Sequence, residues 1–387
     1  SPNNIITFKV PNIELGQGTH TGQAMIIAEE LEVNLEQVNV VNAPPDPQYG
    51  RLNTGGSGSI RKNFKKLLQV GASTKETLLK AAAKIWNVEL DECFAKNGKV
   101  IHKNSNRSLT YGELANTASK IKPSSTPKLK NSDDFQLIGK SSQRIDISEK
   151  VNGSSIYGMD VRIPGMLHAV IKQSLIRGGT LTEYNKKKAL NVNGVKAVVP
   201  IPSQQVVLKK YPEAIAVVAS SNWQALKGME VLNPIFKGGD TLNLSSNKIE
   251  KIFKQEINKI KFPEKNVSKS TFEVEYDTPL YAHTTLEPLN FTVNYTDNLC
   301  EVWGPTQSQT DLEFYIKELT GFSSDKIKIN ITSIGGSFGI KQTFDALVQA
   351  ITISKSLKKP IQVMWTREQE IQNSYPMQMN KNKIRIS

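Results

Sequence analysis

The order of apolar and polar residues divides the first part of the chain into alternating strand and helix signals. "TFKV" and "VNVV" are short apolar runs typical of strands, and "TGQAMIIAEELEV" between them repeats its apolar residues at helical spacing. A longer helix is predicted where apolar residues recur at helical spacing from Leu78 to Trp86. The segment "KIKPSSTPKLKNSDD" loses both patterns and predicts a linker.

The rest of the pattern predicts two further regions. "MLHAVI", "VKAVVPI" and "AIAVVAS" are strand-like runs separated by glycine and proline turns. A polar segment follows with one amphipathic helix, in which Ile249, Ile257 and Ile260 share a face. The final residues "NKIRIS" alternate like a strand, and no hairpin partner follows them. Because a domain rarely stops within a strand, we expect the chain to be a fragment of a longer protein.

These elements predict an α+β fold with three regions, at residues 1–120, 133–237 and 271–387. The length of 387 residues is ample for two or three domains. No apolar run approaches the roughly 20 residues of a membrane-spanning helix, so we expect no membrane span. The net charge of +13 comes from dispersed lysines that are not interleaved with aromatic residues, and we expect no nucleic-acid partner.

The metal-ligating residues are few and scattered. Cys93 and Cys300 are the two cysteines, whereas an iron–sulfur cluster takes four ligands. The four histidines include no pair at metal-ligand spacing. We therefore predict no metal held by protein ligands alone; a metal would arrive with its own organic ligand.

Three glycine-rich loops are the strongest candidates for chemistry. They are "LGQGTHTGQ", "NTGGSGSIR" and "SIGGSFGIKQ", each predicted to abut the start of a helix. Glycines let backbone N–H groups point at anionic oxygens, and a helix N-terminus favours phosphate. None fits a common nucleotide fingerprint. The loops therefore indicate either a phosphate-bearing organic cofactor or ordinary turns.

Several side chains in or near these loops have two interpretations. The amides of Gln17, Gln307 and Gln342 could contact a heterocycle edge or a metal-bound oxo group, or they could be ordinary surface amides. Phe338 could anchor its loop in the core or form the wall of an active site. His283 and Glu287 lie four residues apart in a turn and predict local structural hydrogen bonding.

The motifs resemble those of the molybdenum hydroxylases in the xanthine dehydrogenase and aldehyde oxidase family. "GGSFGIK" and "KPIQVMWTREQEI" are similar to the G-G-x-F-G loop and the P-V-x-x-x-W-x-R-E segment of the molybdopterin-binding subunit. "AHTTLEPLNFTV" and "EVWGPTQSQTDLE" resemble its H-x-x-x-E-P and P-T-Q motifs, and "GKSSQRIDISEKVNG" resembles the start of its hammerhead domain. The GQG and TGGSGS loops precede that domain here, an order that resembles the large (beta) subunit of isoquinoline 1-oxidoreductases.

The resemblance implies an architecture and a set of site residues. Two pieces of a molybdopterin-binding domain, 1–120 and 271–387, would flank an α/β-hammerhead-like domain at 133–237. Gln307 would hydrogen-bond the apical oxygen of molybdenum, and Phe338 would shape the substrate wall. Gln342 would contact substrate where xanthine-oxidising relatives have a carboxylate, which argues against xanthine-like recognition. The other implied cofactor contacts are Gly16, Gln17, Gly18, Thr54, Gly55, Gly56, Ser57, Gly336 and Gly339.

The resemblance also implies a function. The chain would bind a molybdenum–molybdopterin cofactor, in a form such as the cytosine dinucleotide, and oxidise an N-heterocycle or aldehyde with oxygen from water. Electrons would leave through a small [2Fe–2S] partner subunit. The general-base glutamate would lie beyond residue 387, so the chain alone would be inactive. The compartment would be the periplasm if a signal was removed, and otherwise the cytoplasm. The alternative is a cofactor-free remnant or binding module of the same fold.

Overall fold

The structure is a computed structural model that describes residues 3–105, 107–262 and 271–386. The chain packs into two compact units, each assembled from stretches that are separate in sequence. The first comprises Ser1–Tyr157, Thr306–Phe314 and Ile331–Gly335, and the second comprises Gly158–Pro305, Tyr315–Asn330 and Gly336–Ser387. Helices and strands are mixed throughout, so the predicted α+β fold class is confirmed.

The first unit contains a parallel βαβ unit, a long helix and a small antiparallel sheet. Its elements are β1 (Ile6–Val10), α1 (Thr19–Leu31), β2 (Val38–Asn42), α2 (Phe64–Trp86), β3 (Cys93–Lys96), β4 (Lys99–His102), β5 (Ser108–Thr110), α3 (Tyr111–Ala118) and α4 (Ile147–Asn152). Strand β1 pairs with β2 in parallel, and β3, β4 and β5 form the antiparallel sheet. The strands and helices predicted for this region are confirmed.

Small residues let α1 and α2 pack closely in the core of the first unit. Ala24 and Ala28 of α1 are fully buried. At Gly71 of α2 the helices approach so closely that a Cβ would lie 2.8 Å from the Cβ of Glu30. This contact requires glycine, because the opposing atoms are the backbone carbonyl of Ile27 and the Cβ of Glu30, both in α1.

The segment predicted as a linker, residues 120–134, is irregular apart from one 3-10 turn, and it and the residues directly after it are fixed to α1 of the same unit. The buried carboxylate of Glu29 accepts hydrogen bonds from the N–H groups of Gln136 at 2.9 Å, Leu137 at 2.7 Å and Ile138 at 3.0 Å. The Nζ atom of Lys130 lies 2.6 Å from the same carboxylate. This connection therefore belongs to the first unit and is not a free tether.

The second unit is built around a seven-stranded sheet. Its strands and helices are β6 (Leu167–Gln173), β7 (Thr180–Glu183), α5 (Lys186–Leu190), β8 (Val195–Ile201), β9 (Gln204–Val206), β10 (Lys209–Tyr211), β11 (Ala214–Ala219), α6 (Asn222–Leu232), β12 (Ile235–Lys237), α7 (Ser246–Asn258), β13 (Phe272–Thr278), β14 (Asn290–Tyr295), β15 (Cys300–Gly304), α8 (Gln309–Thr320, whose first turns count with the first unit), β16 (Ile327–Ile331), α9 (Asp345–Leu357), β17 (Ile361–Met364), α10 (Arg367–Asn373) and β18 (Asn380–Ile386).

The large sheet joins strands from two of the regions that the sequence separates. Its order is β16-β15-β14-β17-β6-β11-β8, with β17 and β6 paired in parallel. All six residues of β11 are buried, which explains its unbroken apolar run in place of an alternating pattern. The domain bounds predicted from the sequence stay a prediction.

Two elements near the end of the second unit refine the predictions. Helix α7 ends at Asn258, so the expectation that Ile260 extends its apolar face is wrong, and that side chain is exposed. The terminal strand β18 pairs antiparallel with β13 along its whole length. A partner more than a hundred residues earlier in the chain cannot be recognised from a hairpin pattern.

Candidate functional site

Within the first unit, Thr54 of the TGGSGS loop is bonded to Gln307 of the P-T-Q motif and to Ile13, just before the GQG loop. The Oγ1 atom of the buried Thr54 accepts a hydrogen bond from the N–H of Ile13 at 2.8 Å. The backbone N–H of Thr54 donates to the backbone carbonyl of Gln307 at 2.8 Å, and the backbone carbonyl of Thr54 accepts from the side-chain Nε2 of Gln307 at 2.7 Å. The segment before GQG, the TGGSGS loop and the P-T-Q motif are therefore tied together.

The neighbouring positions divide into buried anchors and exposed backbone. Gln307 is 4% exposed, so it is not a surface amide. Gly55 is half-buried, whereas Gly56 and Ser57 are exposed at φ values of 63° and 50°. The loop is thus anchored at one end and open at its tip. The role of Gln307 toward molybdenum stays a prediction, and the amide also braces two loops.

The carboxylate of Glu14 accepts hydrogen bonds from N–H groups of the GQG loop. Helix α1 begins at Thr19, directly after Gly18. Oε1 of Glu14 accepts from the N–H groups of Gly16 at 2.8 Å and Gly18 at 2.9 Å, and Oε2 accepts from His20 at 3.0 Å. The prediction that these glycine N–H groups are free to bind phosphate is wrong here, because the chain supplies its own anion to the helix N-terminus.

Gln17 and Arg144 complete this loop. Oε1 of Gln17 accepts from the N–H of Leu15 at 2.5 Å, and its Nε2 donates to the carbonyl of Ile13 at 3.1 Å. Arg144 donates to the carbonyl of Gly16 at 2.7 Å and to Oε1 of Glu14 at 3.3 Å. The acidic residue two positions before the first glycine is the sequence signal that could have revealed this cap.

Buried polar atoms in the same motifs fit a bound polar group. Oγ1 of Thr19 and both amide atoms of Gln309 are buried, and no described residue gives them a hydrogen-bond partner. Each such atom costs about 1–3 kcal/mol unless a ligand satisfies it. No described atom lies within 4 Å of a Cβ position on Gly16, Gly18 or Gly56, so these faces are open. The motifs therefore fit a polar cofactor held by side chains and loop surfaces.

The GGSFG loop in the second unit has an unusual backbone. Gly336, Phe338 and Gly339 have φ values of 83°, 54° and 115°. A left-handed conformation in a non-glycine residue costs about 1–3 kcal/mol and is concentrated at functional sites. Phe338 is 66% exposed, so the interpretation of this residue as a core anchor is wrong.

The helices that follow the glycine-rich loops differ from the prediction. GQG leads directly into α1, but turns separate TGGSGS from α2, which begins at Phe64. A short 3-10 turn, Ile340–Gln342, separates GGSFG from α9, which begins at Asp345. The expectation that all three loops abut a helix start therefore holds for GQG alone.

A buried ion pair lies directly after the GGSFG loop. Nζ of Lys341 is 2.5 Å from Oε2 of Glu287, and their side chains are 0% and 3% exposed. Burial lowers the pKa of Lys341, and the carboxylate of Glu287 offsets part of this effect. The sequence predicts local structural bonding for Glu287, but nothing in it identifies Lys341 as buried, since lysine is almost always exposed.

Gln342 lines an aromatic pocket in the second unit. The pocket has a volume of about 250 Å³ and is also lined by Lys209, Tyr211, Tyr315, Thr343, Phe344 and Tyr375. Nζ of Lys209 lies 4.5 and 4.2 Å from the ring centres of Tyr211 and Tyr375, and 2.8 Å from Oδ2 of Asp345. Gln342 is exposed at this pocket, as a substrate-contacting amide requires. That role stays a prediction.

The described residues form neither a metal site of acidic, histidine or cysteine ligands nor a membrane-spanning helix. Residues 3–105, 107–262 and 271–386 contain no group of three or more histidine, cysteine, aspartate or glutamate side chains arranged to hold a metal ion. Within the same residues, every helix is too short or too polar to cross a bilayer.

Comparison with known proteins gives matches along almost the entire chain. Two family models, each described as a molybdopterin cofactor-binding domain, match residues 2–160 and 245–387. The beta subunit of isoquinoline 1-oxidoreductase from Brevundimonas diminuta is 28% identical, over 96% of this chain and 54% of that protein.

Two further relatives show a similar coverage of this chain. A membrane-bound aldehyde dehydrogenase from Gluconacetobacter polyoxogenes, whose name specifies pyrroloquinoline quinone, is 25% identical over 96% of this chain and 50% of that protein. A nicotinate dehydrogenase subunit from Pseudomonas putida is 24% identical over 93% of this chain and 31% of that protein. The chain thus spans about half the length, or less, of these curated relatives.

The residues that the two family models match include the loops whose geometry is described above. The two molybdopterin-binding matches leave only residue 1 and residues 161–244 unmatched. They contain the GQG and TGGSGS loops, the P-T-Q motif and the GGSFG loop. The chain belongs to the xanthine dehydrogenase family, as a molybdopterin cofactor-binding subunit.

Proposed function

We propose that this chain forms the cofactor-binding part of a molybdenum-dependent oxidoreductase that oxidises an N-heterocycle or an aldehyde with oxygen from water. The hydrogen bonds of Thr54 to Gln307 and Ile13 carry this proposal, because they join the TGGSGS loop to the P-T-Q motif and to the segment just before the GQG loop. The names of the relatives support both substrate classes, since they include isoquinoline, nicotinate and aldehyde enzymes.

When bound, the molybdenum cofactor supplies the two-electron oxidation, and the protein supplies position and electrostatics. The open surfaces of the GQG and TGGSGS loops hold the pterin. The buried amide of Gln309 and the hydroxyl of Thr19 offer hydrogen bonds that the described protein does not use. Gln307, whose Nε2 donates to the carbonyl of Thr54, would offer the rest of its amide to the cofactor.

The second unit supplies groups for the substrate. The exposed ring of Phe338 is a flat apolar wall for a planar heterocycle or for the carbon chain of an aldehyde. The exposed amide of Gln342 lines the aromatic pocket and can both donate and accept hydrogen bonds. It therefore suits a ring nitrogen better than a carboxylate side chain at this position would.

The finer proposals concern the cofactor form and the partner. We propose a dinucleotide form of the cofactor, such as the cytosine dinucleotide, because long glycine-rich loops can accommodate more than a pterin. We also propose a separate small subunit with [2Fe–2S] centres. Cys93 and Cys300 are both buried and too few for a cluster, so electrons need another carrier.

One observation favours the alternative of a cofactor-free binding module. The N–H groups of Gly16 and Gly18, which the sequence assigns to phosphate, are bonded to Glu14. The buried amide of Gln309 instead favours a cofactor-binding protein. This amide has no hydrogen-bond partner among the described residues, and a module without a ligand would lose stability by keeping it buried.

The source of the oxygen atom tests the proposed reaction. The protein, purified from its native source with its copurifying subunits, is incubated with isoquinoline, nicotinate or another N-heterocycle, an artificial electron acceptor and ¹⁸O-labelled water. We expect the hydroxylated product to gain one ¹⁸O atom from water. A hydroxylated product without ¹⁸O, whose oxygen then came from molecular oxygen, or a molybdenum-loaded protein that oxidises neither heterocycles nor aldehydes, would contradict the proposal.

A further inference from the structure

The ion pair between Lys341 and Glu287 uses almost all the hydrogen-bonding capacity of the carboxylate. Oε2 of Glu287 lies 2.5 Å from Nζ of Lys341. Oε1 accepts from the N–H of Gly158 at 2.9 Å and from Nδ2 of Asn290 at 3.1 Å. The acid is thus fixed by three donors, and it presents a fixed charge to the lysine.

Such a pair is not needed for stability alone. Replacing a buried ion pair by apolar residues of similar volume is often neutral or stabilising, whereas removing one partner is strongly destabilising. A fully buried lysine therefore calls for another role. The position of Lys341 supplies one, since it lies two residues after Gly339.

The backbone around Lys341 is tied to the GGSFG loop at several points. The N–H of Lys341 donates to Oγ of Ser337 at 3.2 Å, and the N–H of Ile340 donates to the carbonyl of Ser337 at 3.0 Å. The N–H of Gln342 donates to the carbonyl of Gly339 at 3.2 Å. The turn that carries the lysine therefore holds both ends of Phe338.

We propose that Lys341 and Glu287 are positioning residues, whose buried ion pair holds the GGSFG loop in the conformation that presents Phe338 to solvent. The strained φ of 54° at Phe338 needs such support, because an L residue leaves this region when its surroundings loosen. Only the catalytic consequence rests on the proposed function; the conformational role does not.

Hydrogen exchange in the intact chain tests the conformational role without any cofactor. We expect the amides of Ile340, Lys341 and Gln342 in the wild-type protein to be protected at least about a hundredfold relative to an unstructured peptide, although the loop is at the surface. Near-random-coil exchange of these amides would overturn the proposal.

Paired substitutions separate positioning from general stability. Lys341→Met alone leaves a buried unpaired carboxylate and should lower the melting temperature strongly, whereas Lys341→Met combined with Glu287→Gln should recover most of the loss. We expect the loop amides of the double variant still to exchange at least about tenfold faster than in the wild type. Wild-type exchange in a stable double variant would overturn the proposal; should that variant not fold, the wild-type protection decides.

A matched control and an activity measurement complete the test. Lys381 pairs with Asp277 on the β13–β18 ladder of the same unit, so Lys381→Met should leave exchange at the GGSFG loop unchanged. In the molybdenum-loaded enzyme, the double variant should lower kcat with unchanged molybdenum content. Faster loop exchange with unchanged kcat would support the positioning role and remove Phe338 from the proposed reaction instead.

Discussion

Gln307 combines a structural and a proposed catalytic role in one amide. Its side-chain Nε2 donates to the backbone carbonyl of Thr54, and its backbone carbonyl accepts from the N–H of Thr54. The backbone bond survives any substitution of the side chain, so the meeting of the two loops does not depend on the amide alone. A change at this residue should therefore affect chemistry more than cofactor retention.

We expect Gln307→Ala to lower turnover about ten- to a hundredfold, because a hydrogen bond in a site closed to water contributes about 1–3 kcal/mol. Molybdenum content should stay near that of the wild type. Steady-state kinetics and metal analysis on the enzyme with its copurifying subunits measure both. Gln143→Ala, at an exposed glutamine of the same unit, is the control and should change neither. Full turnover at full molybdenum occupancy in the Gln307 variant would reject the role.

Gln309 gives a prediction that does not require activity. Its amide is buried, and the described residues offer it no hydrogen-bond partner. In the cofactor-free chain, Gln309→Met should raise the free energy of unfolding by about 1–3 kcal/mol, because an apolar group of similar size removes an unsatisfied amide. In protein from the native source, the same change should lower the pterin content.

Urea unfolding and pterin fluorescence after oxidation measure these two effects. Gln307→Met is the matched control, since it removes an amide that has a partner and should destabilise the cofactor-free chain. A Gln309→Met chain that unfolds more easily than the wild type would show that this amide is already satisfied within the protein.

Some of these residue roles could be read from the sequence and others could not. The glycines at positive φ follow from motifs, because loop geometry limits which residues are tolerated, whereas the catalytic role of Gln307 stays a prediction. The burial of Lys341 does not follow, since its partner Glu287 lies 54 positions away and only the fold brings them together. The cap formed by Glu14 was readable, but the local pattern suits phosphate equally well.

At the scale of elements, one carboxylate joins a helix to an irregular segment. Glu29 of α1 holds Lys130 and the N–H groups of residues 136–138. Burial alone would raise the pKa of Glu29, but the hydrogen bonds from Lys130 and the three N–H groups outweigh it and lower the pKa. The ionised form of Glu29 is thus more stable, relative to its protonated form, in the folded protein than in the unfolded one.

We expect Glu29→Gln to lower the free energy of unfolding by about 2–4 kcal/mol at pH 7, because charge-assisted hydrogen bonds are lost in a buried site. A lowered folded-state pKa gives stability that is present above the ordinary value of 4.5 and is lost as the pH falls through the folded-state pKa. The difference in free energy of unfolding between the wild type and the variant should therefore become smaller in acid.

Urea titrations at pH 7 and at several values down to about pH 3 measure this difference. Glu30→Gln is the matched control: burial raises the pKa of Glu30, so a neutral amide there should cost less at pH 7. A difference for Glu29→Gln that stays constant with pH would contradict the carboxylate as the source of the stability.

At the scale of the whole molecule, local pattern predicted elements better than their assembly. Strand β11 and helices α1 and α2 follow from the apolar pattern, because burial sets that pattern directly. The seven-stranded sheet and the β13–β18 pair do not follow, since each joins strands that are far apart in sequence. The compartment stays a prediction from the resemblance.

The two cysteines give a prediction for the intact chain. Cys93 and Cys300 are buried, and burial raises the pKa of both thiols, that of Cys300 to about 12. Because the thiolate is the reactive and metal-binding form, we expect neither thiol to react with Ellman's reagent in the native protein and both to react in denaturant. Rapid reaction of a native thiol would contradict the burial of the two cysteines, and iron bound stoichiometrically to this polypeptide would contradict the proposal that electrons leave through another subunit.

The central claim is that these loops hold a molybdenum cofactor. Protein purified from its native source, with its copurifying subunits, is analysed for molybdenum by plasma mass spectrometry and for pterin by fluorescence after oxidation. We predict about one molybdenum and one pterin for each copy of this chain, since one set of loops converges on Thr54. A fully folded preparation containing neither molybdenum nor pterin would contradict the account and leave the cofactor-free binding module in its place.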